Sequence, residues 1–194
     1  MGRRRNLGAA DVGLIVGAGL LGFAAVRASS PTLGPVAGDG PPYAPNVARP
    51  GHFFSWDELT ATSAPLPNEP NAEDARNLAQ LTEHILDPLR FSLGEPLYVM
   101  SGYRTPQVNA LVGGSDASQH TTGQAADIRA DGWAAEGLAD VIYRLAFPFD
   151  QLIWYAPERG GHVHVSFVSG GGRRAMLYAP ASGGYVQSQP TGVA

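Results

Sequence analysis

At 194 residues, the chain suits one compact domain with extensions, and 44% apolar content is enough to build a core. The net charge is −4 and every basic residue is Arg, so there is no broad basic surface and nucleic acid is excluded as a partner. Cys is absent, which excludes disulfides and thiolate metal sites and leaves any metal to His, Asp or Glu.

Arg3, Arg4 and Arg5 precede an apolar run over residues 12–26. A basic start followed by about 15 apolar residues matches a secretory signal better than a membrane span of about 20. Val26-Arg27-Ala28 before Ser29 offers a small-residue cleavage site. The alternative is a signal anchor that stays in the membrane through residues 12–26 with its arginines inside. Residues 1–28 are therefore expected to be a signal peptide or signal anchor. The protein is expected to be exported, periplasmic or held in the cell envelope. Residues 29–50 are rich in Pro and Gly, show no apolar period and read as a linker. Residues 51–180 are expected to fold, and 181–194 read as a flexible tail.

Within the folded part, Ser55 and Glu58 form a capping box, with Phe54 and Leu59 placed as its staple. Asn71 opens a longer helix in which Ala75, Leu78, Leu81, Ile85 and Leu89 make one apolar face. Residues 97–100 predict a short strand. Thr105-Pro106 predicts a helix start, and Gly113-Gly114 ends that helix. Residues 125–129 predict a strand. Asp131 is expected to cap a helix running through Trp133, Leu138, Val141, Ile142 and Leu145. Residues 152–155 and 162–167 predict two more strands, and a last short one is expected near Met176. The order of elements predicts an α+β fold with a small, largely antiparallel sheet flanked by helices.

Three of the five histidines stand in two tight contexts, SQHTTGQAAD (residues 118–127) and GHVHVSF (residues 161–167). A catalytic zinc takes three ligands from His and carboxylate and keeps a fourth position for water. His120 falls on a loop and Asp127 in the strand that follows it. The small residues Gly123, Ala125 and Ala126 let the chain turn tightly enough for both to converge. A strand's period of two puts His162 and His164 on one face. We assign His164 as the third ligand and leave His162 free beside the bound water.

The stretch SGYRTPQVNALVGGSDASQHTTGQAADI (residues 101–128), with FDQLIWY (149–155) and HVHVSF (162–167), resembles the zinc D-Ala-D-Ala carboxypeptidase family of peptidoglycan peptidases. Within that family the chain is most similar to short phage and bacterial members related to endolysins. The resemblance implies zinc bound by His120, Asp127 and His164. It implies that Arg104 binds substrate and stabilises the oxyanion, and that Ser118 helps hold the substrate's carboxylate end. Family members carry Glu or Asp three residues before the last ligand, where this chain has Gly161. The general base is then Glu158, Asp150 or His162.

The blander readings are specific. On these readings Asp150 only starts a strand or pairs with an arginine, His52 and His84 are structural, and Trp154 and Tyr155 pack the sheet. The expected function is zinc-dependent hydrolysis of peptidoglycan stem peptides, of D-Ala-D-Ala carboxypeptidase or L-Ala-D-Glu endopeptidase type. The rival, motivated by Gly161, is a non-catalytic cell-wall-binding or virion-associated module with a structural zinc.

Overall fold

The structure is a computed structural model and describes residues 49–191. The apolar run at residues 12–26 and nearly all of the Pro/Gly-rich stretch lie outside the described residues. Among the described residues, no helix is long and apolar enough to cross a membrane.

Helix α1 (Trp56–Thr60) starts where the capping box predicts. The Glu58 amide donates to Ser55 Oγ at 3.2 Å, and the Ser55 amide donates to Glu58 Oε2 at 2.8 Å. Helix α2 (Ala72–Leu81) is capped by Asn71, whose side-chain oxygen accepts from the amides of Glu73 and Asp74. A cap of this kind is worth about 1 kcal/mol. The single long helix expected here is interrupted by a π-turn (Thr82–Leu86) before α3 (Asp87–Leu93). Pro88 gives the reason. It has no N–H to bond the carbonyl one turn back, and its ring crowds that carbonyl, so the ladder widens. The Asp87 amide reaches back five residues to the Thr82 carbonyl. The apolar face survives the change: Leu78, Leu81, Ile85 and Leu89 are all fully buried.

Six strands follow: β1 (Leu97–Ser101), β2 (Ala125–Ala130), β3 (Gln151–Tyr155), β4 (Val163–Ser166), β5 (Ala175–Ala179) and β6 (Val186–Gln187). Their order in the sheet is β1-β2-β4-β3-β5-β6. All neighbours are antiparallel except β3 and β5. Helix α4 (Pro106–Leu111) is capped by Thr105, and helix α5 (Ala135–Arg144) packs against β3 and β4. The fold is thus the α+β class expected. Alternation splits the sheet into two faces. Ala126, Ile128, Leu152, Trp154, Val163 and Val165 join the buried cluster that also holds Leu78, Ile85, Leu138 and Ile142. Burying each such Leu or Ile contributes roughly 1.5–3 kcal/mol. The opposite face carries Asp127, His164 and Ile153 in register across β2, β4 and β3.

Two local expectations are corrected. Asp131 does not cap α5. The chain makes a turn at Asp131-Gly132, the N-cap is Ala134 without a side-chain bond, and Trp133 is exposed ahead of the helix. Asp131 instead accepts from the Tyr98 hydroxyl at 3.1 Å. The stretch expected to be a flexible tail contains β6, which pairs with β5 through Leu177–Gln187 and Tyr178–Val186. Thr191 also donates to Glu136 through both its amide and its hydroxyl.

Candidate metal centre and its surroundings

The site is built on the inner pair of antiparallel strands and the turn that feeds them. Residues Gln119–Thr122 form one turn of 3-10 helix, and Gly123 takes a left-handed conformation (φ +69°) before β2 begins. A side chain at 123 would also drive into the backbone carbonyl of Asp74 in α2. Glycine therefore lets the chain reverse against α2, and this reversal brings His120 over Asp127. Asp127 and His164 are direct partners across β2 and β4.

The three side chains meet at three atoms. His164 Nδ1 lies 3.0 Å from Asp127 Oδ1, His120 Nε2 lies 3.3 Å from the same oxygen, and the two ring nitrogens are 3.2 Å apart. Tetrahedral ligands at zinc bond lengths stand about 3.3 Å from one another, so the triangle has the size of one face of such a shell. Its chemistry fits as well. His120 Nδ1–H donates to the Gly102 carbonyl at 2.6 Å, which leaves the Nε2 lone pair facing the triangle. Three acceptor atoms then converge with at most one proton among the neutral rings, an arrangement a cation relieves. Among the described residues this is the group of His and acids able to hold a metal ion.

The surroundings shield the three side chains from water. His120 and His164 are 3% and 8% exposed. Burial works to raise the Asp127 pKa, but the imidazoles of His120 and His164 beside it outweigh that and hold the carboxyl well below its ordinary value. Burial lowers the His164 pKa and keeps the ring neutral, opposed in part by Asp127. Asp127 Oδ2 points the other way and accepts from Arg104 Nη2 at 2.8 Å. Arg104 Nε in turn donates to Ser101 Oγ at 2.7 Å. Arg104 is therefore a brace on the Asp127 carboxylate as well as a candidate for substrate. A cleft of about 220 Å³ opens beside it, lined also by Ser101, Met100 and Ser63.

His162 sits just before β4, on the same sheet face as His164, as the period of two requires. Its ring is outside the triangle and stacks on Tyr155, with centroids 4.2 Å apart and planes 15° apart. Burial lowers the His162 pKa, with Asp127 pulling the other way and His164 adding to the lowering, so the ring is neutral near pH 7. Ser118 starts the turn that carries His120. Its carbonyl accepts from Thr121, and its hydroxyl has no hydrogen bond among the described residues.

The three candidate bases separate clearly. Asp150 is 3% exposed and closed off: it accepts from the Arg173 amide and guanidinium and from Gln119 Nε2. Glu158 is exposed on the short turn Pro157–Arg159. Gly161 has φ +54°, a backbone strained for an acidic side chain. Sequence reasoning missed Ser101 and the Gly102 carbonyl, although both lie in the SGYR motif. It also read Tyr155 as packing alone. Trp154 is buried in the core as expected, but Tyr155 faces the site side. His84 is exposed and stacks on Phe167.

No curated protein matches the chain. A family model described as Peptidase M15 matches residues 54–166, more than half of the sequence. That span runs from the residue ahead of the capping box to the end of β4 and holds the whole triangle, so the chain belongs to the Peptidase M15 family, peptidases of the D-Ala-D-Ala carboxypeptidase type.

Proposed function

We propose that the protein is an exported, zinc-dependent peptidase that hydrolyses peptidoglycan stem peptides, with the ion held by His120, Asp127 and His164. The observation that carries the reading is the triangle of acceptor atoms with edges of 3.0–3.3 Å inside a peptidase family match. When bound, zinc supplies a water acidified toward pH 7 and a Lewis acid for the scissile carbonyl.

The remaining work falls to the chain's own side chains. His162 is neutral near pH 7 and lies on the sheet face of the ligands, so it takes the water's proton at a ring nitrogen and returns it to the leaving amine. Arg104 presents its unengaged Nη1 to the developing oxyanion or a substrate carboxylate while Nη2 steadies Asp127. The Ser118 hydroxyl, free of intramolecular bonds among the described residues, is the group we assign to the substrate's carboxylate end. Buried, arginine-bound Asp150 is not a competing base.

The test is mass spectrometry of purified peptidoglycan digested by the zinc-loaded full chain, beside metal analysis of the same sample. One zinc per chain and released D-Ala support the carboxypeptidase form, and cleavage after L-Ala supports the endopeptidase form. Gly161, in place of the family's acid, favours one second reading, a cell-wall-binding module that keeps zinc for stability. Full zinc occupancy with no turnover on any muropeptide selects it. Export itself is tested by N-terminal sequencing of protein recovered from the cell envelope.

A further inference from the structure

The Tyr155 side of the site contains a packed train of rings that the metal chemistry does not use. The His162 ring lies flat on Tyr155 at 4.2 Å. The Tyr155 hydroxyl meets the Tyr185 hydroxyl at 3.4 Å, and the two phenol rings pack edge to face at 6.3 Å. The Arg159 guanidinium lies over both phenols, 5.2 Å from the Tyr155 centroid and 5.5 Å from that of Tyr185. Its Nη1 also donates to the Gly184 carbonyl at 2.9 Å, fastening the turn that leads into β6. Among the described residues Arg159 pairs with no carboxylate. Burial first, then the Tyr185 hydroxyl, raises the Tyr155 pKa, so the phenol stays neutral and is no proton carrier. Tyr185 and β6 lie beyond the family match, which ends at residue 166.

We propose that Tyr155, braced by Arg159 and by Tyr185 from the turn of the C-terminal strand pair, is a positioning residue that holds the His162 ring in one orientation at the metal site. The proposal rests on the reading of His162 as proton carrier. A histidine at the mouth of a strand has two free side-chain torsions. The flat stack removes most of that freedom. Proton transfer depends steeply on the placement of the accepting nitrogen. The C-terminal strand pair is on this view part of the active site, although it supplies no group to the metal.

The test compares zinc-loaded full-length wild type with Tyr155→Leu, Tyr155→Phe, Tyr185→Leu and His162→Ala. Zinc content, kcat and KM on muropeptide, and the His162 imidazole proton resonances are measured for each. Tyr155→Leu is expected to keep one zinc, to lower kcat about tenfold with little change in KM, and to move the His162 resonances downfield as the ring current is lost. Tyr155→Phe keeps the stack and restores both kcat and the resonance positions. Tyr185→Leu, an exposed change that spares the core, gives a smaller shift of the same sign. Unmoved His162 resonances in Tyr155→Leu, or a raised KM at unchanged kcat, would overturn the positioning role. Should Tyr155→Leu fail to fold, the same two readouts on Tyr185→Leu decide the matter. Wild-type turnover in His162→Ala sinks the proton-carrier reading instead, and the resonances still report on the stack.

Discussion

Asp127, half-buried in β2, and Asp150, buried just ahead of β3, are both tied to the turn that carries His120, yet they are built for opposite purposes. Asp150 is closed: Arg173 and Gln119 supply donors to both its oxygens. The Arg173 hydrogen bond leads in lowering its pKa. Asp127 is half closed. Arg104 saturates Oδ2, while Oδ1 faces two imidazole nitrogens that cannot both donate to it. A buried carboxylate with a full set of donors is structure. One with an outward oxygen left among acceptors is a place for a cation.

The largest effect that separates the two is on metal content. Asp127→Ala is expected to lose zinc altogether after dialysis, while Asp150→Asn retains one equivalent, as read by metal analysis of the purified chains. A full equivalent in Asp127→Ala would end the metal reading of the triangle. Next comes the reversal that brings the ligands together. Gly123→Ala forces a side chain into a left-handed residue and against the Asp74 carbonyl. The backbone cost alone is about 1–2 kcal/mol, so the midpoint of thermal unfolding should fall and zinc affinity with it. A variant with wild-type melting and affinity would mean that the turn relaxes freely. Smaller again is Arg104→Met. Loss of the brace on Oδ2 should weaken zinc about 10–100-fold in chelator competition, without loss of the fold. Unchanged affinity there would assign Arg104 to substrate alone.

The contrast between the two carboxylates was only partly legible in the sequence. Features set by neighbours along the chain were plain. Ser55 with Glu58, Asn71, and Thr105 with Pro106 each mark a helix start through bonds spanning two or three residues. The spacing of His120 and Asp127 around Gly123 likewise encodes a local turn. What failed depended on partners distant in sequence or on a single overriding residue. Pro88 opened a π-turn inside a pattern that reads as unbroken helix, and the Asp131-Gly132 turn pre-empted a cap. Strand alternation put Tyr155 on one face, but it could not tell that this face carries the His120–Asp127–His164 group, because the residue that completes the stack, His162, comes from the turn ahead of β4. Tyr185 sits in a Gly/Ser/Pro-rich stretch with no apolar alternation, and the strand it leads into exists through pairing with β5, itself reached by a parallel crossover from β3.

The smallest effect concerns Asp150 and acid. In Arg173→Ala the guanidinium, largely exposed and screened by water, removes at most about 1 kcal/mol of direct pairing. The buried carboxylate it leaves with fewer donors adds roughly 1–3 kcal/mol of destabilisation at neutral pH. The sign of the pH dependence follows from the lowered native pKa of Asp150. The unfolded chain binds the proton first, so the stabilisation is complete above the ordinary carboxylate value of about 4 and is lost as pH falls through the lower native value. Denaturant titrations of wild type and Arg173→Ala should therefore differ most at neutral pH and converge below pH 4. Asp127 has a lowered native pKa too, but it is common to both proteins and cancels in the difference. A gap that stays constant into acid would mean that Arg173 stabilises the chain through packing, and that Asp150 is closed by Gln119 and the backbone alone.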